Sequence, residues 1–546
     1  MNQDLYPYPG LNGCPVTDHA MPGTGWQPGH ESTGQALAPP MPLQNRNGAL
    51  RRSRKDRNVG EICQLLRSHF IKGVTELGAQ LLIYRPTAMA GPLEVDGYID
   101  KIQSLVFNQS GLSVTRAEVE HALAVLRGDD SLTVEINVSV GLTVMSWSGI
   151  LYMKTSDGIL EFDARGSYKL PQYIDAPIGF LRLENGRPAT FPPYYGSINH
   201  EPLEDLLAAL NVPENVRLLL VAWMLATLLP NAQNVLLEIV GGRYTGKSTL
   251  QQALKHLLDP SIEPLTVDIH SQPKALFDQA KRDFILSLDS VERLPGKMQR
   301  GLLELLQGKL TEISPGRRSA STQVRIEHPI VLNSLASLVS EPELADRSIL
   351  VRLPPIEAFK DRYLEELTKI NRLHDGFGSL VTLLSQIAPR WQHISIVACP
   401  PGLMDFYRIG VAAAEAMGLG PEAFDEQMKA CMEQRYELEL HEYPIVEAVQ
   451  SLLEASGQDN LEMPAGKLLE ALEGHRPERA QEHNWPRSPR QLGPKLEESK
   501  ALMKANGVTV ESAGRKGKES VYHWKINKCS PQLYYRKWDL RRDSAI

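Results

Sequence analysis

Leu236-Leu237-Glu238-Ile239-Val240-Gly241-Gly242-Arg243-Tyr244-Thr245-Gly246-Lys247-Ser248-Thr249 is the stretch whose reading decides the fold. An apolar run of strand length enters a glycine-rich turn. The turn opens into Leu250-Gln251-Gln252-Ala253-Leu254-Lys255-His256-Leu257-Leu258, whose apolar residues recur at helical spacing. Gly241 to Ser248 satisfies G-x-x-x-x-G-K-[ST] at every defined position. Glycines let backbone N–H groups close around phosphate oxygens, and a helix N-terminus adds its positive dipole end. The spacing predicts that Gly241 through Thr249 bind a nucleoside triphosphate. Lys247 would reach the β and γ phosphates, and the Ser248 hydroxyl would ligate Mg²⁺. The plain alternative is a glycine-rich turn that binds nothing.

A chain of 546 residues suggests two to four domains. Hydrophobic and charged fractions of 42% and 23% are those of a water-soluble globular protein. Five cysteines without a C-x-x-C pair argue against a disulfide framework or a zinc ribbon and fit a reducing cytoplasm. No signal pattern is visible, and the longest apolar run, Leu218 to Leu229, is too short for a bilayer and reads as a buried helix. No membrane partner is expected. The net charge of −7 hides an asymmetry: from Asn484 to Ile546 fourteen Lys/Arg face six Asp/Glu. The basic end is where a polyanion would bind.

Along the chain, residues 1–58 are Pro-, Gly-, Asn- and Gln-rich, which predicts a disordered tail ending in a basic run that is either solvated or a DNA or partner contact. Residues 59–200 read as an α/β N-terminal domain. Leu65, Phe70 and Leu77 suggest its first helix, and Thr115-Arg116-Ala117-Glu118 is a capping box for another. Two strands flank Ser156-Asp157-Gly158 as a hairpin. No acidic or metal-binding arrangement there suggests a second active site or a primase. Residues 201–355 hold the phosphate loop, preceded by two helices, the second starting at Pro213-Glu214. A strand over Pro264–Val267 and a short helix over Pro273–Ala280 are expected next.

Phe284-Ile285-Leu286-Ser287-Leu288-Asp289 is an apolar strand ending in a carboxylate, as holding Mg²⁺ beside such a loop requires. Glu292 is either a water-activating base or a solvated loop residue. Asn333 ends the strand Ile330–Asn333 and either orients the attacking water or satisfies a turn. Arg347 is either an arginine finger or half of a surface pair with Asp346. Lys309 to Ile326 reads as a hairpin around Pro315-Gly316 with Arg317 and Arg318 at its tip, gripping DNA phosphates or merely solvated.

These segments, above all Glu343-Leu344-Ala345-Asp346-Arg347-Ser348-Ile349-Leu350-Val351-Arg352-Leu353-Pro354-Pro355, resemble the helicase-like AAA+ ATPases of phages, plasmids and mobile elements, related to superfamily 3 and poxvirus-type primase-helicases. The resemblance spans about Ile150 to Ile526. It implies an α/β fold with an AAA+-type P-loop core, Gly241–Ser248 as Walker A and Asp289 as Walker B. It also implies Asn333 as the sensor, Arg347 as a finger acting across a subunit interface, and Lys309–Ile326 as a DNA-tracking hairpin. Ser290 departs from the group, which usually has Asn or an acid there.

Residues 356–440 are helical in pattern and would form a lid or bundle over the nucleotide face. Residues 441–527 read as three helices and a basic-tipped hairpin, the outline of a winged helix, followed by a basic tail at 528–546. Ser488-Pro489-Arg490-Gln491 is a capping box for the third helix, which Gly493-Pro494 should kink. Arg487, Arg490 and Lys495 on that helix and Arg515, Lys516 and Lys518 on the wing would contact phosphates, or the domain would bind protein instead. The expectation is a cytoplasmic ATP-dependent DNA helicase or translocase, a homo-hexamer working with replication proteins. Its rivals are an ATP-controlled DNA-binding switch and a protein-remodelling ATPase.

Overall fold

The computed structural model describes residues 54–530, apart from 76–77, 79, 93–95, 129–137, 156–157, 182–198, 260–272, 314–321, 357–361, 396–400, 483 and 517–520. Helix α1 (Arg54–His69) starts inside the segment expected to be a tail. Asn58 is buried on it and donates to Glu118 Oε1 at 2.8 Å, so residues 54–58 belong to this folded region. Arg54, Lys55 and Arg57 lie exposed on its first turns.

The helix does not continue through Phe70 to Leu77. Phe70 opens β1 (Phe70–Val74), which pairs antiparallel with β2 (Gln80–Tyr84), Phe70 opposite Tyr84. Cross-strand packing of aromatic and branched residues outweighs the helical spacing of so short a run. Leu77 is outside the described residues. After β3 (Met89–Pro92) and α2 (Asp96–Ser110), α3 (Arg116–Arg127) starts at its capping box, with Thr115 N donating to Glu118 Oε2 at 2.7 Å. The Thr115 backbone, Asn58 and the Thr115 hydroxyl together hold the Glu118 carboxyl below its usual range.

Strands β4 (Ser139–Gly141), β5 (Val144–Trp147), β6 (Ile150–Thr155), β7 (Gly158–Phe162), β8 (Tyr168–Lys169) and β9 (Ile178–Leu181) follow, and with β1–β3 they make two sheets. One runs β1-β2-β3-β9-β4 and the other β5-β6-β7-β8. The expected hairpin is β6–β7.

Helices α4 (Glu201–Ala209) and α5 (Glu214–Thr227) lead into β10 (Leu236–Val240) and α6 (Lys247–Leu258). Then come α7 (Pro273–Ala280), β11 (Leu286–Leu288), α8 (Gly296–Leu306), β12 (Lys309–Ile313), β13 (Thr322–Ile326) and β14 (Ile330–Ser334). Next are α9 (Pro342–Ala345), β15 (Ser348–Arg352), α10 (Arg362–Ile387), α11 (Met404–Ala416) and α12 (Pro421–Glu442). The strand expected over Pro264–Val267 lies outside the described residues.

Strands β11-β14-β10-β15 form, in that order, an all-parallel sheet. Alternate residues of β10 face two cores. Leu237 and Ile239 join α5, α6, α10, α11 and α12, whereas Leu236 joins α7, α8 and α9. The first of these cores also takes in Leu151, Met153, Phe162 and Phe180 of the N-terminal sheets. Helices α10–α12 therefore do not form a separate lid. They are built into the layer between the parallel sheet and the N-terminal sheets, α10 against α4 and α6, and α12 against β15.

Behind the loop helix, Lys255 is fully buried, ion-paired with Asp259 and donating to the Ile285 carbonyl at 2.8 Å. This fastens the end of α6 to the start of the strand that carries Asp289. His328, also fully buried, has Nδ1 3.0 Å from the Phe284 carbonyl. Burial pushes its pKa down to about 4, with Lys255 adding to the shift and Phe284 and Asp259 opposing it. A lowered histidine is neutral when folded while the unfolded chain takes up a proton below the ordinary value of 6.5. Stability from this group is therefore complete above pH ~6.5 and is lost as pH falls toward ~4, by about 3 kcal/mol in all. Urea unfolding at pH 7 and pH 4.5 should show that loss, and His328→Gln should reduce it.

The C-terminal domain has its own core, including Val449, Leu468, Leu492, Leu496 and Trp524. Its elements are α13 (Ile445–Ser456), β16 (Asn460–Pro464), α14 (Ala465–Glu473), α15 (Pro489–Glu498), α16 (Lys500–Ala505), β17 (Val508–Lys516) and β18 (Val521–Lys528). The strands are antiparallel in the order β16-β18-β17. The expected third helix is two helices. It passes through Pro494 and breaks instead at Ser499, whose Oγ donates back to the Lys495 carbonyl at 2.7 Å. Nor does Ser488 cap it; Gln491 Oε1 accepts from the Arg487 N–H at 2.9 Å instead.

Among the described residues no single helix is long and apolar enough to cross a membrane.

Candidate active site

Parallel pairing sends the C-terminal ends of β10, β14 and β11 to one edge of the sheet. That edge carries Gly241, Asn333 and Asp289. The turn itself is shaped by two glycines. A Cβ on Gly241 would come within 2.8 Å of Thr245 Oγ1 and 2.9 Å of the Leu353 carbonyl, so no larger residue fits. Gly246 sits at φ +85° and begins α6 without a side-chain cap, which leaves first-turn N–H groups facing the loop. Thr245 Oγ1 donates to the Gly242 carbonyl at 3.2 Å. Tyr244 holds φ +63° although it is not glycine, and its side chain is 77% exposed. Arg243 is exposed beside it, and Thr249 lies in the first turn of α6.

Lys247 curls back over the loop, donating to the Gly241 carbonyl at 2.9 Å and the Gly242 carbonyl at 2.6 Å. Partial burial lowers its pKa and Asp289 opposes that shift. An ammonium enclosed by a ring of backbone is suited to a ligand that brings negative charge.

Ser248 Oγ donates to Asp289 Oδ1 at 2.7 Å. These are two hard oxygens side by side, as a Mg²⁺ ion takes when phosphate and water oxygens complete its shell. Asp289 is held from behind. Asn333 Nδ2 donates to Asp289 Oδ1 and to Gln251 Oε1, and Asn333 Oδ1 accepts the Ser290 N–H at 2.9 Å. Gln251 Nε2 in turn donates to Ser287 Oγ at 2.9 Å. The Asn333 amide is thus engaged on both its nitrogen and its oxygen within the protein, and its nitrogen holds the Asp289 carboxylate. Ser290, at φ +53°, turns the chain away after Asp289. Glu292 is exposed in the loop beyond it.

Two residues of this site escaped the sequence reading. Gln251 stands one helical turn after Lys247, a spacing that could have placed it on the strand-facing side of α6. Asn211, at φ +61°, donates to the Thr245 carbonyl at 3.1 Å and the Pro354 carbonyl at 2.8 Å. It is far upstream of the loop, and no local pattern marks it.

Arg347 is not at this edge. Its carbonyl accepts the N–H of Leu236, the first residue of β10, at 2.8 Å. Strand β10 therefore separates it from the loop by roughly 13 Å, beyond an arginine's reach. It lines a cleft with Pro230, Gln233, Gln307 and Glu327. Burial raises the Glu327 carboxyl's pKa, with Asn234, Arg347 and Arg325 opposing. Arg352, at the other end of β15, lies opposite Val240 on the loop's own side.

The hairpin expected over Lys309–Ile326 is present as β12–β13, with Lys309 opposite Ile326. Its tip, with Arg317 and Arg318, is outside the described residues. In the C-terminal domain Arg490 and Arg515 are exposed, and Arg487 pairs with Glu482 at 2.5 Å. Lys495 leans over the Tyr443 ring, 5.4 Å from its centroid, and lies 3.9 Å from Glu498, so it is less open to solvent than its neighbours. Lys516 ends β17, and Lys518 is outside the described residues.

Residues 445–533 match the family described as the AICE RepA C-terminal domain. No curated protein matches the sequence. Among solved structures the chain is similar to one described as "SCCmec type IV Cch - active helicase", at 11% identity over 84% of this chain and 92% of that one, TM-score 0.40. It is similar also to the C-terminal region of NrS-1, at 10% identity over 87% and 99%, TM-score 0.39. A JCV helicase matches 40% of this chain and 66% of its own at 15% identity, TM-score 0.22.

Proposed function

We propose that the chain is an AAA+-type ATPase that uses ATP and Mg²⁺ to move along or unwind DNA during replication of a phage or mobile element. The observation that carries the ATPase reading is the single sheet edge where the Gly241–Ser248 loop, the Ser248–Asp289 pair and Asn333 converge. Lys247 would exchange two loop carbonyls for β and γ phosphate oxygens. Ser248 and Asp289 would hold Mg²⁺, which neutralises charge on the phosphate oxygens when bound. Asn333 and Gln251 keep the Asp289 carboxylate aimed. Arg347, too far from its own loop, would serve the loop of a neighbouring copy, which makes a ring, on this reading a hexamer, the natural assembly.

DNA as the polymer is supported by the family match over 445–533 and by exposed Arg490 and Arg515 on a helix and a hairpin that on this reading make up a winged helix. Lys309 and the hairpin it begins would track one strand. Strand displacement on forked DNA tests the whole proposal: displacement is expected with ATP and not with a non-hydrolysable analogue. DNA-stimulated hydrolysis without displacement would instead support the ATP-controlled switch. Hydrolysis indifferent to DNA would support protein remodelling. DNA binding itself should weaken steeply between 50 and 200 mM salt, as counterion release requires. Arg490→Ala should lower the slope of log affinity against log salt by about 1; an unchanged slope would remove Arg490 from the interface.

A further inference from the structure

Glu238 is a charged residue in the middle of the loop strand β10, fully buried between neighbours Leu237 and Ile239. A carboxylate there is costly unless every oxygen is occupied. Its Oε1 accepts the Leu338 N–H at 2.6 Å, and its Oε2 accepts Ser337 Oγ at 2.8 Å and Arg435 Nη1 at 3.2 Å. Ser337 and Leu338 belong to the one stretch of chain that runs from Asn333 at the site edge, through α9, to Arg347 at the opposite edge.

Arg435 comes from α12 and is buried too. One turn before it, Cys431 Sγ accepts the Leu350 N–H at 3.3 Å, which seats the same face of α12 on β15, the strand that follows Arg347. From the other side Gly402 presses on this corner. A Cβ there would come within 2.5 Å of both Arg347 Cγ and the Asp346 carbonyl. Among the described residues the Nε and Nη2 groups of Arg435 have no hydrogen-bond partner.

We infer that Arg435, through its buried pair with Glu238, is the positioning residue that fixes the 334–347 segment and so sets where Arg347 is presented. The inference rests on the proposed role of Arg347 in a neighbouring copy's site. It adds a physical link from a chain's own loop strand to the arginine it offers its neighbour. The charge of Arg435 also bears on Asp346, whose carboxyl burial pushes up and Arg435 pulls back down.

Mixing full-length subunits tests this. Asp289→Asn subunits have a disabled site but an intact Arg347. Arg435→Gln subunits have an intact site but a misplaced Arg347. Alone, Arg435→Gln should lose at least ~10-fold in kcat with KM for ATP within about twofold. Mixed with Asp289→Asn, it should regain turnover beyond the sum of the two, because the Asp289→Asn subunits supply a correctly held Arg347. Arg347→Ala mixed with Asp289→Asn is the reference. Rescue of Arg347→Ala but not of Arg435→Gln overturns the positioning role alone. No rescue in either mixture removes the trans role of Arg347 and this inference with it. Turnover of Arg435→Gln within twofold of the wild type also overturns it. Should Arg435→Gln not fold, the double variant Glu238→Gln, Arg435→Gln leaves no unpaired buried charge and is read by the same outcomes.

Discussion

Arg347→Ala should lower steady-state ATP turnover by about 10³-fold, the lower end of what an arginine finger contributes, while ATP binding to the isolated subunit stays within a few-fold. The separation of the two effects follows from position. Arg347 sits beyond the first residue of β10 and the loop beyond the last, so removing it changes nothing around its own chain's loop. The measurement is kcat beside an equilibrium titration with a fluorescent ATP analogue at concentrations where the chain is monomeric. A loss of affinity as large as the loss of turnover would place Arg347 in its own site. Unchanged turnover would make it half of a surface pair with Asp346.

Lys247→Ala should act on both quantities. The ammonium is the one side-chain cation held inside the loop by the Gly241 and Gly242 carbonyls among the described residues. Taking it away removes a charge-assisted contact to the phosphates in the ground state and at transfer. Losing one such donor costs on the order of 10²- to 10³-fold in turnover, with weaker ATP binding besides. The C-terminal domain packs its own core around Leu468, Leu492 and Trp524 and should stay folded and bind DNA in the variant. Normal hydrolysis by Lys247→Ala would refute the site.

The parts legible in the sequence were those fixed by neighbours along the chain. The loop was legible because close approach at Gly241 and a positive φ at Gly246 leave few residue choices. Thr115–Glu118 was legible because both partners of the cap lie within one turn. Asn211 was not, since what it holds is brought to it only by folding. Phe70 and Ser499 show the same limit from the other side. Phe70 fits a helical period yet pairs with Tyr84, and the α15–α16 break falls at a serine that bonds backward rather than at the proline. For Asn333 the position at a strand end was legible and its partners were not, because Gln251 and Ser290 are brought to it only by folding.

The core shared between the ATPase helices and the N-terminal sheets has a practical result for dissecting the protein. Gly166, in the turn after β7, lies so close to α10 that a Cβ would come within 2.2 Å of the Ser385 carbonyl. Phe180, Met153 and Leu151 share one apolar layer with Leu219 and Phe406. A fragment trimmed to start at residue 201 would bare that layer and is expected to precipitate on expression. The shortest well-behaved motor fragment should start before α1, and exchange of parts between related proteins should succeed with a junction inside α12, whose Cys431 and Met432 pack in one core and whose Tyr436 and Leu440 pack against the other.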